Sequence, residues 1–276
     1  MHKDLTSAFN KLIEILKDDT RCLGGWHFGS KSRGLEDIYS DYDPVFLIEG
    51  KYFEDFSNDI QKYFSKISDE LIIFWAEDFN DNKFKNFCSI LSLGGNLHQM
   101  DIFIVNYDYP DEWMSKLHSK GCSRKDIIFD RTGETAIHLD KGYTVDNSIP
   151  DTVRAIDTYL FHAVMLVKYF KRNDIFKLHK NIDVLFHAHI DLFLSYYDKL
   201  DWGSWENKIK HCVPNEKQEY LKAYFVSADI NSLKISVKKC LNQFVHDANE
   251  ICMNKNIAYS ENKIKKIIEY LEREIL

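Results

Sequence analysis

Apolar positions change their spacing along this chain, and the change divides it. Near the start, Leu5, Phe9, Leu12, Ile13 and Leu16 recur at three- and four-residue steps, which predicts an amphipathic helix over about residues 4 to 18. A strand leading to Phe28 follows, then one from Asp41 to Ile48 and a helix around Tyr52 to Ile67. Shorter apolar runs predict strands near Leu71 to Trp75, Phe87 to Leu93 and Gln99 to Val105, with Gly94-Gly95-Asn96 as a hairpin turn. Helices and strands in this order predict a mixed sheet flanked by helices.

Beyond Val105 the strand signals fade. Lys141-Gly142 through Ser148-Ile149-Pro150 is a polar, turn-rich boundary, and Asp151 is placed to start the next helix. From there the helical period dominates. Val153, Ile156, Leu160, Ala163, Val164 and Val167 form one core stripe, and Leu233, Val237, Cys240, Leu241, Phe244 and Ala248 form another. A last helix from about Lys263 carries Ile264, Ile267, Ile268, Leu271 and Ile275. The predicted class is therefore α+β: a mixed-sheet domain over residues 1–145 followed by a helical bundle over 146–276, with a cleft for a small molecule.

The chemistry sits at the first strand-to-turn junctions. Gly29-Ser30 is followed, after a short polar stretch, by Asp41-Tyr42-Asp43 at the mouth of the run Val45-Phe46-Leu47-Ile48. In an extended chain alternate side chains share a face, so Asp41 and Asp43 point the same way, about 6 to 7 Å apart along the backbone. Two carboxylates facing one point suit a hard cation such as Mg²⁺, which keeps part of its shell for water and phosphates. Gly29 lets backbone approach a phosphate closely, and Ser30 adds a hydroxyl and an N–H. Other motifs fail here. A calcium loop would need an oxygen ligand where Val45 stands and a glycine at Phe46, a Walker A loop begun at Gly24 finds Ser30 instead of lysine, and a nucleophile elbow around Ser32 lacks its first glycine.

A third acid completes such a cluster best from a neighbouring strand. Asp101 is the only charge in Leu97–Val105, and a lone carboxylate in an apolar strand is costly unless paired, hydrogen-bonded or metal-bound. Its alternative is a solvated place at the strand's entrance. Glu77 and Asp78, which end another apolar run, form a second acidic pair that reads as the start of a surface loop.

Taken together, these residues resemble the nucleotidyltransferase superfamily, whose pattern is a hydrophobic-Gly-Ser turn, a spacer, Asp-x-Asp, and a later acidic strand. Ser40-Asp41-Tyr42-Asp43, Asp101, the acidic-glycine turn Phe129-Asp130-Arg131-Thr132-Gly133-Glu134 and a helical second half are similar to the antibiotic nucleotidyltransferases. The likeness points to the aminoglycoside 6-adenylyltransferase (streptomycin adenylyltransferase) type and its lincosamide-modifying relatives. The resemblance implies a mixed-sheet nucleotidyltransferase catalytic domain and a helical acceptor-binding domain. It implies Mg²⁺ held by Asp41, Asp43 and Asp101, the last as ligand or as the base for the acceptor hydroxyl. Gly29 and Ser30, with Lys31 and Arg33, become the nucleotide-binding set, ATP or another nucleoside triphosphate the co-substrate, and an aminoglycoside or lincosamide the acceptor. Pro44 departs from the pattern, which has an aliphatic residue there. Without an N–H, it predicts an interrupted or one-sided strand.

Charge and composition narrow the partners. The chain has 276 residues, 45% of them hydrophobic, and a formal net charge of −7, which argues against nucleic acid and favours a cationic substrate. Six scattered cysteines without Cys-x-x-Cys spacing indicate neither a zinc site nor a disulfide framework. The amphipathic start is unlike a signal peptide and no run is long enough to span a bilayer, so a cytoplasmic enzyme is expected.

In the helical half, Asp183 and His187 share a helix face, whereas His187 and His189 diverge and cannot chelate one ion. His179 and Asp191 lie near them. Trp202 and Trp205 beside Asp201 and Glu206 could wall a cationic sugar, and Lys177 and Lys180 could meet phosphates; a loop anchor and a solvated basic face are the plainer readings. Three functions follow: nucleotidyl transfer to a small hydroxyl compound, nucleotidyl transfer to RNA ends or a protein, and a nucleotide-sensing module without turnover. The full carboxylate set speaks against the third.

Overall fold

The computed structural model describes residues 4–109, 121–141, 149–200 and 203–276. The chain forms two compact units, Met1–Asp146 and Asn147–Leu276.

The first unit opens with α1 (Leu5–Asp18), whose N-cap Asp4 accepts from the Ser7 N–H at 2.6 Å. Six strands follow among the described residues: β1 (Cys22–His27), β2 (Pro44–Ile48), β3 (Glu70–Ala76), β4 (Phe84–Leu93), β5 (Asn96–Asn106) and β6 (Ile127–Asp130). Between them come α2 (Gly29–Arg33), α3 (Phe53–Ile67) and, after β6, α4 (Glu134–Asp140). Among the described residues the sheet runs β3-β4-β5-β2-β1-β6, and only the central β2·β5 pair is parallel.

That central pair explains the all-apolar β2. Phe46 and Ile48 face α1 and α3, joining Phe9, Leu12, Phe56, Ile60 and Phe64, while Val45 and Leu47 face the other way toward Trp26, Val105 and Leu139. Both faces are covered, so every residue of β2 is buried. Pro44 is the first residue of the strand and pairs only with His27 of β1; pairing with β5 begins at Val45↔Phe103. A missing N–H is tolerated there. Asp41 to Asp43 therefore lie just before β2 rather than inside the predicted strand.

Gly94 and Gly95 make the β4–β5 hairpin turn with φ of 59° and 88°, two left-handed residues in succession. The predicted fading of strand signal after Val105 is corrected by β6, which pairs antiparallel with β1. The acidic-glycine turn behind it serves the fold: Asp130 accepts from the N–H groups of Gly133 and Ala136, both at 2.9 Å, and so starts α4.

The second unit is helical: α5 (Thr152–Lys171), α6 (Ile175–Tyr197), α7 (Trp205–Cys212), α8 (Asn215–Leu221), α9 (Ile230–Asn254) and α10 (Glu261–Glu274). Asp151, Asp174 and Asp229 cap α5, α6 and α9 through side-chain hydrogen bonds. The α9 stripe is buried throughout, but Val153 of the α5 stripe is 37% exposed; the buried face of α5 runs instead through Ile156, Tyr159, Ala163, Leu166 and Phe170. No helix among the described residues is long and apolar enough to cross a membrane.

Candidate active site

The site is assembled by three neighbouring segments of the sheet unit. β1 ends at His27, and Gly29 turns the chain with φ of 69° into the short α2, which Gly34 ends in the left-handed conformation. The Leu35 N–H reaches the Ser30 carbonyl at 3.0 Å and the Gly34 N–H the Lys31 carbonyl at 3.4 Å, a Schellman-type stop. Glycine at position 29 is required twice over. Besides the positive φ, a Cβ there would stand 2.6 Å from the Asp43 carboxylate.

Asp41 and Asp43 approach from the segment before β2, and Asp101 from the adjacent β5. The Asp101 N–H donates to the Tyr42 carbonyl at 3.1 Å, which ties the two segments together. Ligand oxygens of Asp41, Asp43 and Asp101 all lie within 4.8 Å of one another. Burial, first, and then the charges of Asp41 and Asp101 push the Asp43 carboxyl up to about 7. Asp101 is raised as well, by burial and by Asp41, against hydrogen bonding from the Gln99 side chain. Gln99 Nε2 donates to Asp101 Oδ2 at 3.0 Å, whereas Oδ1 is buried and makes no hydrogen bond of ordinary geometry. Half-buried carboxylates crowded in this way repel one another, and a hard cation with oxygen ligands relieves the repulsion. The donor set fits such an ion.

Beside Asp41 opens a cleft of about 860 Å³. Its lining includes four carboxylates, Asp4, Glu36, Asp37 and Asp41, and one lysine, Lys31. Of the predicted nucleotide-binding set, Gly29 stands against Asp43, Ser30 follows in α2 and Lys31 lines the cleft. Arg33 is not among the residues lining this cleft, and its guanidinium is packed so closely on Gly121 that a Cβ there would overlap it. Two contributors, Gln99 and Tyr42, were not singled out by the sequence pattern. Gln99 had a readable sign, its i−2 spacing from Asp101, which puts both on one strand face.

Glu77 and Asp78 lie in the β3–β4 connection, as their surface-loop reading expects, and Glu77 accepts from Trp75 Nε1 at 3.1 Å. In the helical unit, His187 and Asp183 stand 3.5 Å apart on the exposed face of α6, with the Trp205 ring edge-on to His187. Lys177 pairs with Asp174 and Lys180 with Asp183. Trp202 and Asp201 lie outside the described residues. His189 points into the core, 3.0 Å from Asp247 and 3.0 Å from the Tyr224 hydroxyl. Asp247, Glu250 and His246 form another cluster of potential ligands, but the Lys217 ammonium already joins Asp247 and Glu250 at 2.7 and 2.6 Å.

Comparison with known proteins supplies the class of this chain. The family described as streptomycin adenylyltransferase matches residues 4–274. The protein is a nucleotidyltransferase enzyme of α+β fold, with a nucleoside triphosphate as co-substrate. Within that class, the chain belongs to the streptomycin adenylyltransferase family. Among solved structures it is similar to an aminoglycoside 6-adenyltransferase from Bacillus subtilis, with 13% identity over 97% of this chain and 96% of that one and a TM-score of 0.43. A nucleotidyltransferase-like protein from Exiguobacterium sibiricum is similar at 11% identity over 98% and 87% of the two chains, with a TM-score of 0.26. No curated protein matches significantly.

Proposed function

We propose that the protein transfers an adenylyl group from ATP to a hydroxyl of a small cationic acceptor of the aminoglycoside kind, releasing pyrophosphate. The observation that carries this reading is the cluster of Asp41, Asp43 and Asp101 within 4.8 Å, with one buried oxygen left without a hydrogen bond, in a chain of an adenylyltransferase family.

In this reading Asp41 and Asp43 would hold Mg²⁺, which when bound neutralises the charge of the phosphates, and Asp101 would be a third ligand or the base. Gly29 and Ser30 offer backbone and hydroxyl to the triphosphate, and Lys31 adds a cation beside it. The acceptor oxygen forms a bond to the α-phosphorus, the bond to the bridging oxygen breaks, and pyrophosphate leaves with the electron pair. The hydroxyl proton passes to a carboxylate, for which Asp101 is the candidate. Positioning and charge neutralisation provide most of the acceleration in such transfers. The four carboxylates beside one ammonium in the cleft support a cationic acceptor and give little welcome to nucleic acid. The division into a catalytic part, residues 1–145, and an acceptor-binding helical part, 146–276, belongs to the same proposal, as does a cytoplasmic setting with access to the nucleotide pool.

The test is to incubate the protein with Mg²⁺, each α-labelled nucleoside triphosphate, and a panel of aminoglycosides and lincosamides. Pyrophosphate release from ATP that requires one aminoglycoside is the expected result. Label transferred only to RNA or to a protein overturns the choice of acceptor.

A further inference from the structure

Lys31 sits in an acidic cleft, yet among the described residues it forms no ion pair. Its ammonium rests on the Tyr42 ring instead, 3.9 Å from the ring centroid. Tyr42 is itself held firmly. The ring stacks on Phe9 of α1 at 4.2 Å, the hydroxyl is 3.1 Å from Thr6 Oγ1, and the carbonyl accepts from the Asp101 N–H. Only 8% of Tyr42 is exposed.

The placement matters because of what the alternative would do. A lysine lining the same cleft as Asp41 could pair with it, and the pair would spend one cationic group and one metal-ligating carboxylate on each other. An aromatic face attracts the ammonium through its quadrupole without neutralising it, so the charge stays available for a third partner. The tripeptide Asp41-Tyr42-Asp43 divides this work: its two carboxylates gather with Asp101, while the ring between them packs on Phe9 and carries the Lys31 ammonium. We infer that Tyr42 is a positioning residue whose ring holds Lys31 ready for the polyphosphate of the nucleotide. This rests on the proposed reading that Lys31 meets the triphosphate.

The test measures binding of Mg·ATP and of Mg·tripolyphosphate by calorimetry, without an acceptor. Lys31→Met is expected to weaken both probes about tenfold. Tyr42→Leu should weaken them about 3- to 10-fold in the wild-type background and cause no further loss beside Lys31→Met. Tyr42→Phe, which keeps the ring, should restore binding. Replacing Tyr42 by 3,5-difluorophenylalanine, which has the same shape and a weaker quadrupole, should give an intermediate value.

A merely structural role of Tyr42 would lower binding equally in both backgrounds and show no response to fluorination; either result overturns the inference. If Tyr42→Leu fails to fold, the comparison of phenylalanine with its difluoro form decides alone. If Lys31→Met binds both probes as the wild type does, Lys31 has been misassigned and the inference falls with it. A wild type that binds tripolyphosphate but not ATP removes ATP as the nucleotide while leaving the role of Tyr42 to be decided by the same variants with tripolyphosphate.

Discussion

Two carboxylate centres in this chain are built on opposite electrostatic plans. In the sheet unit, Asp41, Asp43 and Asp101 face one another, and the Asp43 carboxyl is pushed up to about 7 by burial and like charge. In the helical unit, Asp247 is wholly buried, yet hydrogen bonds from His189 and Lys217 outweigh its burial and hold it down at about 2. The second centre is complete: each Asp247 oxygen has a donor, and Gln243 adds contacts of 3.0 and 3.1 Å. The first is unbalanced as the protein alone presents it. A polar network that satisfies itself stabilises a core, whereas one that leaves charge uncompensated is shaped for something that arrives.

The largest effect tests the unbalanced centre. Asp41→Asn or Asp43→Asn should reduce nucleotidyl transfer at least about a thousandfold, measured as acceptor-dependent pyrophosphate release. Melting without added divalent cation should stay the same or rise for Asp43→Asn, because a crowded, half-buried charge has been removed. Substantial transfer by either variant, or collapse of the fold, would erase the contrast between the two centres.

Asp247→Ala should act the other way round. It leaves the buried Lys217 ammonium with Glu250 alone and His189 with Tyr224 alone, a loss of up to about 3 to 5 kcal/mol in chemical denaturation. Once refolded at low temperature, its transfer activity should remain, since the hydrogen-bond partners of Asp247, which are His189, Lys217 and Gln243, include none of the proposed metal- or nucleotide-binding residues. A variant of unchanged stability that has lost activity would move the catalytic centre into the helical unit.

Much of this contrast could be read from the sequence, and the unread part has a common cause. Helix stripes and the Gly94-Gly95 turn were legible because period and φ > 0 are local properties. The pairing of Asp41 with Asp43 was legible for the same reason, from their i, i+2 spacing. β6 was not: Ile127–Asp130 is too short for a pattern and is defined by β1, about a hundred residues earlier in the chain. Asp101 was expected in the cluster as the lone charge of an apolar strand, and what its local pattern did not give is the parallel pairing of β2 with β5, across a crossover through α3, β3 and β4, that brings it there. Tyr42 shows the same limit, since its value lies in Phe9, Thr6 and Lys31 from other elements. Asp247 differs, since it falls on the apolar stripe of α9 three residues after Phe244, but its partners His189 and Lys217 come from other helices.

A pH series sharpens the comparison at smaller amplitude. Asp43 binds its proton more tightly folded than unfolded, about 7 against an ordinary 3.8, so its contribution to stability falls as pH rises from about 4 to 7. Asp247 binds its proton less tightly when folded, about 2 against 3.8, so its contribution is present above about pH 4 and is lost as pH falls toward 2. Melting temperature without divalent cation should therefore decline on both sides of an acidic optimum, with Asp43→Asn flattening the upper limb. Mg²⁺ should raise melting more at about pH 8 than at about pH 6, because below about pH 7 it must displace a proton from Asp43. Equal Mg²⁺ stabilisation at both values would mean that the cation binds elsewhere.

The smallest effect concerns an acid that belongs to neither plan. Asp183 lies on the exposed face of α6, 3.5 Å from His187 and 3.1 Å from Lys180, with about half of its side chain in solvent. Exposed pairs of this kind contribute little, so Asp183→Asn should change unfolding free energy by less than about 0.5 kcal/mol. That small cost makes it a clean probe of the helical unit's share in acceptor binding. If the proposed acceptor contacts include this face, KM for a cationic acceptor should rise a few-fold while KM for ATP and kcat hold. An unchanged KM for the acceptor would leave Asp183 and His187 as a surface pair and confine the acidic recognition to the cleft around Lys31.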